Sequence, residues 1–112
     1  MSGDSVRRFG MAARLVPEKR DEYLALHRMV WPQVEKTISE SGIRNFTIFS
    51  LDDVIIAYYE YVGDDFDADQ QRMASDPITQ EWWTHTAPCQ RPLREDSTAP
   101  NWEIFDEVWH LD

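Results

Sequence analysis

"IRNFTIFSLDDVIIAYYEYV", residues 43–62, decides the fold. Its two halves, 43–51 and 54–62, are rich in β-branched and aromatic side chains, which pack well on a pleated surface, and only Asp52 and Asp53 separate them. A parallel pair would need a long crossover, so two strands joined by two residues form an antiparallel hairpin, even though Asp-Asp is a weaker turn signal than Asp-Gly.

Working outward, Phe9, Met11, Ala13 and Leu15 alternate with Arg8, Gly10, Ala12 and Arg14, which predicts a strand over 6–16 with one apolar face, ended by Pro17. A helix follows from near Glu18, with acidic residues in its first turns, and runs to Gly42 at a C′ position. Pro32 interrupts it: proline has no N–H for the carbonyl of Arg28 and drives Trp31 out of the α region, so a kink or two abutting helices should result. Beyond the hairpin, Phe66, Gln70 and Met73 share one side of a short helix, and Asp76-Pro77 reads as an N-cap with proline at N1, opening a helix through "ITQEWWTHT". Pro88 and Pro92 mark a loop, 93–101 is turn-like, and 102–111 alternates, imperfectly, as a last strand.

The order β-α-β-β-α(α)-β predicts an α+β chain of the ferredoxin-like, split βαβ type: one domain over 1–112, residues 1–5 a flexible tail, and a four-stranded antiparallel sheet with helices on one face. The other face would lie bare, with aromatics from the central strands. A second copy is expected to cover it, giving a homodimer with the two sheets face to face, a dimeric α+β barrel.

Composition narrows the function. A chain of 112 residues holds one modest core and one site, and five tryptophans are more than such a core needs, so some should line a pocket or interface. The formal net charge of −10 argues against nucleic acid or an anionic membrane as partner. No apolar run approaches the roughly 20 residues that span a bilayer, and "MSGDSVRRFG" lacks the apolar core of a signal peptide. The lone cysteine, Cys89, has no internal disulfide partner, which fits a reducing compartment. A cytoplasmic location is the expectation.

Tyr23, His27, Val30, Trp31, Val34 and Ile38 form one helical stripe, apolar except for an imidazole and a phenol one turn apart. A lone histidine on such a stripe serves packing as readily as chemistry. Tyr23 on the same face, the break at Pro32 and the nearby Trp31, extending an aromatic lining, favour a pocket. Trp82 and Trp83 lie about 100° apart on their helix, so one should pack and the other is free to face a cavity, where an indole can stack on the C–H face of a pyranose. "DFDADQ" (65–70) begins like a calcium loop, but Gln70 stands where the sharp turn needs glycine, and helix-start acidity explains it better. His27, His85 and His110 show no zinc spacing, Cys89 has no mark of activation, and no nucleotide or hydrolase motif is present; no metal or cofactor is expected.

The stretches "EYLALHRMVWP", "SGIRNFTIF", "SDPITQEWW" and "DEVWHLD" resemble the L-rhamnose mutarotase family, small dimeric α+β proteins that interconvert the anomers of a 6-deoxy-L-hexose. The resemblance covers about residues 7–112. It implies that His27 is the catalytic acid/base and that Tyr23, Trp82 and Trp83 contact sugar. Phe46 stands where rhamnose-acting members carry a sugar-contacting tyrosine, and "PCQRPL" differs from their Met-Pro-Ala-Asn type of loop, so L-fucose stands beside L-rhamnose as substrate. The chemistry needs no cofactor: one group removes the proton of the anomeric hydroxyl while another protonates the ring oxygen, and an imidazole, with an ordinary pKa of about 6.5, both gives and takes protons near neutrality. Glu60, Asp106 and Glu107 are candidates for the second group. Two other readings share the fold: a ferredoxin-like monooxygenase or haem-handling protein, and a non-catalytic sugar-binding dimer.

Overall fold

In the computed structural model the hairpin comprises β2 (Ile43–Leu51) and β3 (Val54–Tyr61), paired from Leu51↔Val54 to Ile43↔Tyr61. The structure describes residues 6–112, so the expected tail at 1–5 lies outside the described residues. The turn is made by Asp52 at φ 52°, a left-handed conformation that a short polar side chain tolerates. One irregularity interrupts the ladder. Between Arg44↔Glu60 and Thr47↔Tyr58 the register shifts, so Asn45 and Phe46 together oppose Tyr59, with Asn45 at φ 54°. This is a β-bulge.

β1 (Arg7–Leu15) lies antiparallel along the other side of β3, from Arg7↔Tyr61 to Arg14↔Val54. Its far edge carries two short pieces, β4 (Gln90–Arg91) against Arg14 and Leu15, and β5 (Glu103–Phe105) against Gly10 to Ala12. The strand order β2-β3-β1-β4, with β5 also on β1, is the ferredoxin-like arrangement. The edge position, expected as one strand over 102–111, is therefore split, and only 103–105 of that stretch pairs. In "EIFDEVWHL" the apolar residues come in adjacent pairs around Asp106-Glu107, so no single face persists. Val108, Trp109 and Leu111 are exposed beyond it.

The long N-terminal helix breaks at proline as expected. A 3₁₀ turn (Pro17–Lys19) leads into α1 (Arg20–His27), Trp31 is extended at φ −63°, ψ 130°, and α2 (Pro32–Glu40) begins on the proline. Gly42 ends the segment at φ 83°, and a Cβ there would lie 2.9 Å from the Tyr61 ring. After β3 come α3 (Phe66–Ser75) and α4 (Pro77–Thr86), each with an aspartate N-cap: Asp65 accepts from the Ala68 N–H (3.1 Å) and Asp76 from the Thr79 N–H (2.8 Å). The acidic "DFDADQ" is thus a helix start.

The helices cover one face of the sheet, that of Met11, Ala13, Leu15, Ile55, Ala57, Tyr59 and Tyr61, all buried. The buried apolar residues fall into two clusters, one around Met11, Ile43 and Tyr59, the other around Leu15, Tyr23, Ile55 and Cys89; partly buried Ile48 and Trp102 touch both. The opposite face carries the exposed pair Phe49↔Ile56 and, in the neighbouring row of the ladder, exposed Phe105 opposite Gly10.

Candidate active site

A pocket of about 940 Å³ is walled by the helices and the inner face of the sheet, and residues of both clusters line it. The stripe of the N-terminal helices forms one wall through Tyr23, His27, Val30, Val34 and Ile38. Trp31 does not share it. Its ring packs edge-on against Trp82 (5.1 Å between centroids) and His85 (5.7 Å), behind the wall, because the extended backbone that Pro32 imposes turns it off the stripe.

His27 is the last residue of α1 and is half-buried. Its Nδ1 lies 2.9 Å from the Tyr23 carbonyl one turn earlier. A carbonyl oxygen only accepts, so Nδ1 carries the hydrogen and the neutral ring keeps its lone pair on Nε2. The Tyr23 ring is 4.3 Å from the imidazole, and Trp82 meets the imidazole edge-on at 5.5 Å. The ring is thereby oriented by one hydrogen bond and two aromatic contacts, with one nitrogen left as a base.

Tyr23 is 2% exposed, and its hydroxyl oxygen accepts a hydrogen bond from Gln90 Nε2 at 3.1 Å. Burial pushes its pKa up to about 12, against the opposing effect of the Gln90 hydrogen bond, so the phenol keeps its proton at neutral pH. The adjacent tryptophans divide as the helical angle requires: Trp82 is 6% exposed and packed, Trp83 is 43% exposed, and both line the pocket. Phe46, turned by the bulge, also reaches it and tilts against Tyr59 at 5.5 Å.

Sequence reasoning placed all five of Tyr23, His27, Phe46, Trp82 and Trp83 at a site, and the structure brings them to one pocket. It did not find the second proton-transfer group. Glu60 is on the opposite face, accepting from Tyr58 Oη (2.9 Å) and Asn45 Nδ2 (3.0 Å), and Glu107 pairs with Arg8 (3.1 Å). Neither these nor Asp106 line the pocket. Gln90, Asn101, Thr79 and Thr86, which do, were missed. The two threonines carry the usual spacing of helix-face residues, but Gln90 and Asn101 lie in an aperiodic segment that reads as solvated loop. Cys89 is fully buried, and burial pushes its thiol pKa up, away from nucleophilic use. Among the described residues no three His, Cys, Asp or Glu side chains gather to hold a metal ion.

A family model described as L-rhamnose mutarotase matches residues 8–111. The chain belongs to the L-rhamnose mutarotase family. Its relatives there include the L-rhamnose mutarotase of Oceanobacillus iheyensis, 29% identical over 107 residues, covering 96% of this chain and all of that one. That of Flavobacterium johnsoniae is 30% identical over 92 residues, covering 81% of this chain and 82% of the relative. Among solved structures, the L-rhamnose mutarotase of Formosa agariphila superposes with a TM-score of 0.72 at 18% identity, over 95% of this chain and 99% of that one. Tetracenomycin F2 cyclase of Streptomyces glaucescens, a polyketide cyclase, follows at a TM-score of 0.62 and 18% identity over the same shares. The fold is thus common to members of the L-rhamnose mutarotase family and to other chemistry, and the side chains around His27 carry the functional argument.

Proposed function

We propose that residues 1–112 form a single mutarotase domain that interconverts the α and β anomers of a 6-deoxy-L-hexose, L-rhamnose first and L-fucose as the alternative, without a cofactor. The observation that carries this is His27, held by its Nδ1–H on the Tyr23 carbonyl with Nε2 left as the free base, in a wall that also holds Trp82 and Trp83. Nε2 takes the proton of the anomeric hydroxyl as the bond from C1 to the ring oxygen opens. The aldehyde turns about C1–C2, and the ring oxygen recloses on its other face, with the protons returned. Exposed Trp83 offers a stacking surface for the sugar ring, and Tyr23 and Gln90 offer directed polar groups to its hydroxyls.

The reading includes a cytosolic homodimer. It is supported by the buried, unpaired Cys89 and by exposed Phe49, Ile56 and Phe105 on the sheet face away from the helices, which a second copy would cover. NMR saturation exchange between the α and β signals of L-rhamnose, L-fucose and a fully hydroxylated hexose tests the activity. His27→Ala should lower the catalysed exchange by ~10²–10⁴-fold while the protein still melts cooperatively. Wild-type protein without exchange on any of these sugars would overturn the reading, leaving the sugar-binding and the monooxygenase or haem-handling alternatives.

A further inference from the structure

The proposed exchange needs two proton-transfer groups, and among the described residues the pocket's only carboxylate is Glu35, which has no recorded bond to His27 or Tyr23. Tyr23 has a more specific arrangement. Gln90 Nε2 donates to its hydroxyl oxygen at 3.1 Å, and Gln90 Oε1 in turn accepts from Asn101 Nδ2 at 3.3 Å. A carboxamide has one donating and one accepting end, and here the Gln90 nitrogen faces the phenol while its oxygen faces Asn101 Nδ2. The phenol then receives a hydrogen bond and its own hydrogen is left over. Among the described residues Gln90 is the one hydrogen-bond partner of the Tyr23 hydroxyl, and Tyr23 is nearly fully buried. A buried hydroxyl that keeps an unused donor pays for it unless something enters the pocket to accept it.

The segment bearing Gln90 and Asn101 is built to hold this relay. β4 anchors Gln90 on Leu15, and β5 anchors Glu103 on Ala12. Between them, Arg94 donates to Glu103 from its backbone N–H (2.9 Å) and its Nε (2.8 Å), closing the loop so that Asn101 returns to Gln90.

We infer that Gln90 and Asn101 are positioning residues that aim the Tyr23 hydroxyl proton into the pocket, where Tyr23 is the acid for the sugar ring oxygen and complements His27 as base. This rests on the mutarotase reading. In the opening step His27 Nε2 takes the anomeric proton, that O–H pair becomes the new C=O bond, the bond from C1 to the ring oxygen breaks with its electrons on oxygen, and the Tyr23 proton neutralises that oxygen. Closure reverses each transfer, so phenol and imidazole end as they began. A phenol whose proton is held this firmly gives it up only to a strong base such as the developing alkoxide.

The test is to reverse the direction of the relay. Gln90→Glu puts an accept-only carboxylate against Tyr23 at neutral pH and draws its proton out of the pocket. Asn101→Asp does so one step further back, by turning the Gln90 amide over, and keeps the test alive if the first variant folds poorly. Both should lower kcat for anomer exchange by roughly 10²-fold, as Tyr23→Phe should, since loss of an acid costs about that much. Gln90→Leu should lie between these and wild type. The double variant Tyr23→Phe with Gln90→Glu should be no worse than Tyr23→Phe alone. In sugar-free protein labelled with ¹³Cζ-tyrosine, the Tyr23 resonance should shift in one direction in Gln90→Glu and Asn101→Asp as the phenol turns from acceptor to donor. Wild-type kcat in both relay variants, or losses that multiply with Tyr23→Phe, would overturn the assignment, as would an unmoved Cζ resonance. A wild-type protein that exchanges no anomers would sink the mutarotase reading and the acid role with it, while the Cζ shift would still decide the direction of the hydrogen bond.

Discussion

The paired variants Trp82→Ala and Trp83→Ala should separate packing from sugar contact at neighbouring positions. Trp82 is 6% exposed and touches two rings, His27 at 5.5 Å and Trp31 at 5.1 Å. Truncating a buried tryptophan costs about 3–5 kcal/mol, and because Trp82 is a pocket wall the space it vacates joins an open cavity, which puts the cost near 3. Each lost edge-to-face contact adds about 0.5–1.5 kcal/mol. Against a stability of about 5–15 kcal/mol for a domain of this size, that is a large fraction. At about 4–8 °C per kcal/mol for small domains, Tm should fall by at least ~12 °C. Trp83 is 43% exposed, and removing it should cost about 1 kcal/mol of burial while raising KM for the sugar. Thermal unfolding by circular dichroism, with exchange kinetics on the same samples, reads both effects. Equal Tm losses, or an unchanged KM in Trp83→Ala, would refute the division of labour.

Phe46→Tyr adds a hydroxyl at a position on the pocket; a hydrogen bond to sugar, worth about 0.5–1.5 kcal/mol, should change the ratio of exchange rates on L-rhamnose and L-fucose several-fold, and a fixed ratio would remove Phe46 from the sugar-contacting set. Sedimentation at micromolar concentration should give a dimer for the wild type and a monomer for Ile56→Lys, because the lysine falls beside Phe49 on the exposed apolar face. Arg94 holds the Glu103 carboxyl below its ordinary value of 4.5, so this ion pair adds stability above that pH and loses it as the pH falls through the lowered folded-state value. Glu103→Gln should therefore melt earlier than wild type at pH 7, and the gap between the two should close at acid pH.

Most of the fold was legible because it rests on local signals: the alternation in β1, the β-branched and aromatic halves of the hairpin, Pro32, Gly42 and the Asp76-Pro77 cap. The final strand was not, since alternation in 102–111 is only partial and the β1 edge takes two separate short pieces instead of one. His27 and Tyr23 stood out as polar groups on a regular apolar stripe. Gln90 and Asn101 lie where no period exists to violate, eleven positions apart, and only the folded loop brings their side chains to 3.3 Å. Trp31 misled for a related reason: spacing counts a residue on the stripe, whereas the proline after it had already taken its backbone out of the helix.

The bulge at Asn45 and Phe46 lets one strand present two surfaces that can change independently. Strand β2 serves two surfaces, since Phe49 is on the exposed face of the sheet and Phe46 faces the pocket. Because two residues there answer one across the ladder, the pairing of 47–51 is held by the hairpin turn and that of Ile43 and Arg44 by their own partners on β3. Substitutions at Phe46 can therefore reshape the pocket wall while the register that presents Phe49 and Ile56 stays where it is. Changes to the pocket wall and changes to the exposed sheet face are, at this point of the chain, uncoupled.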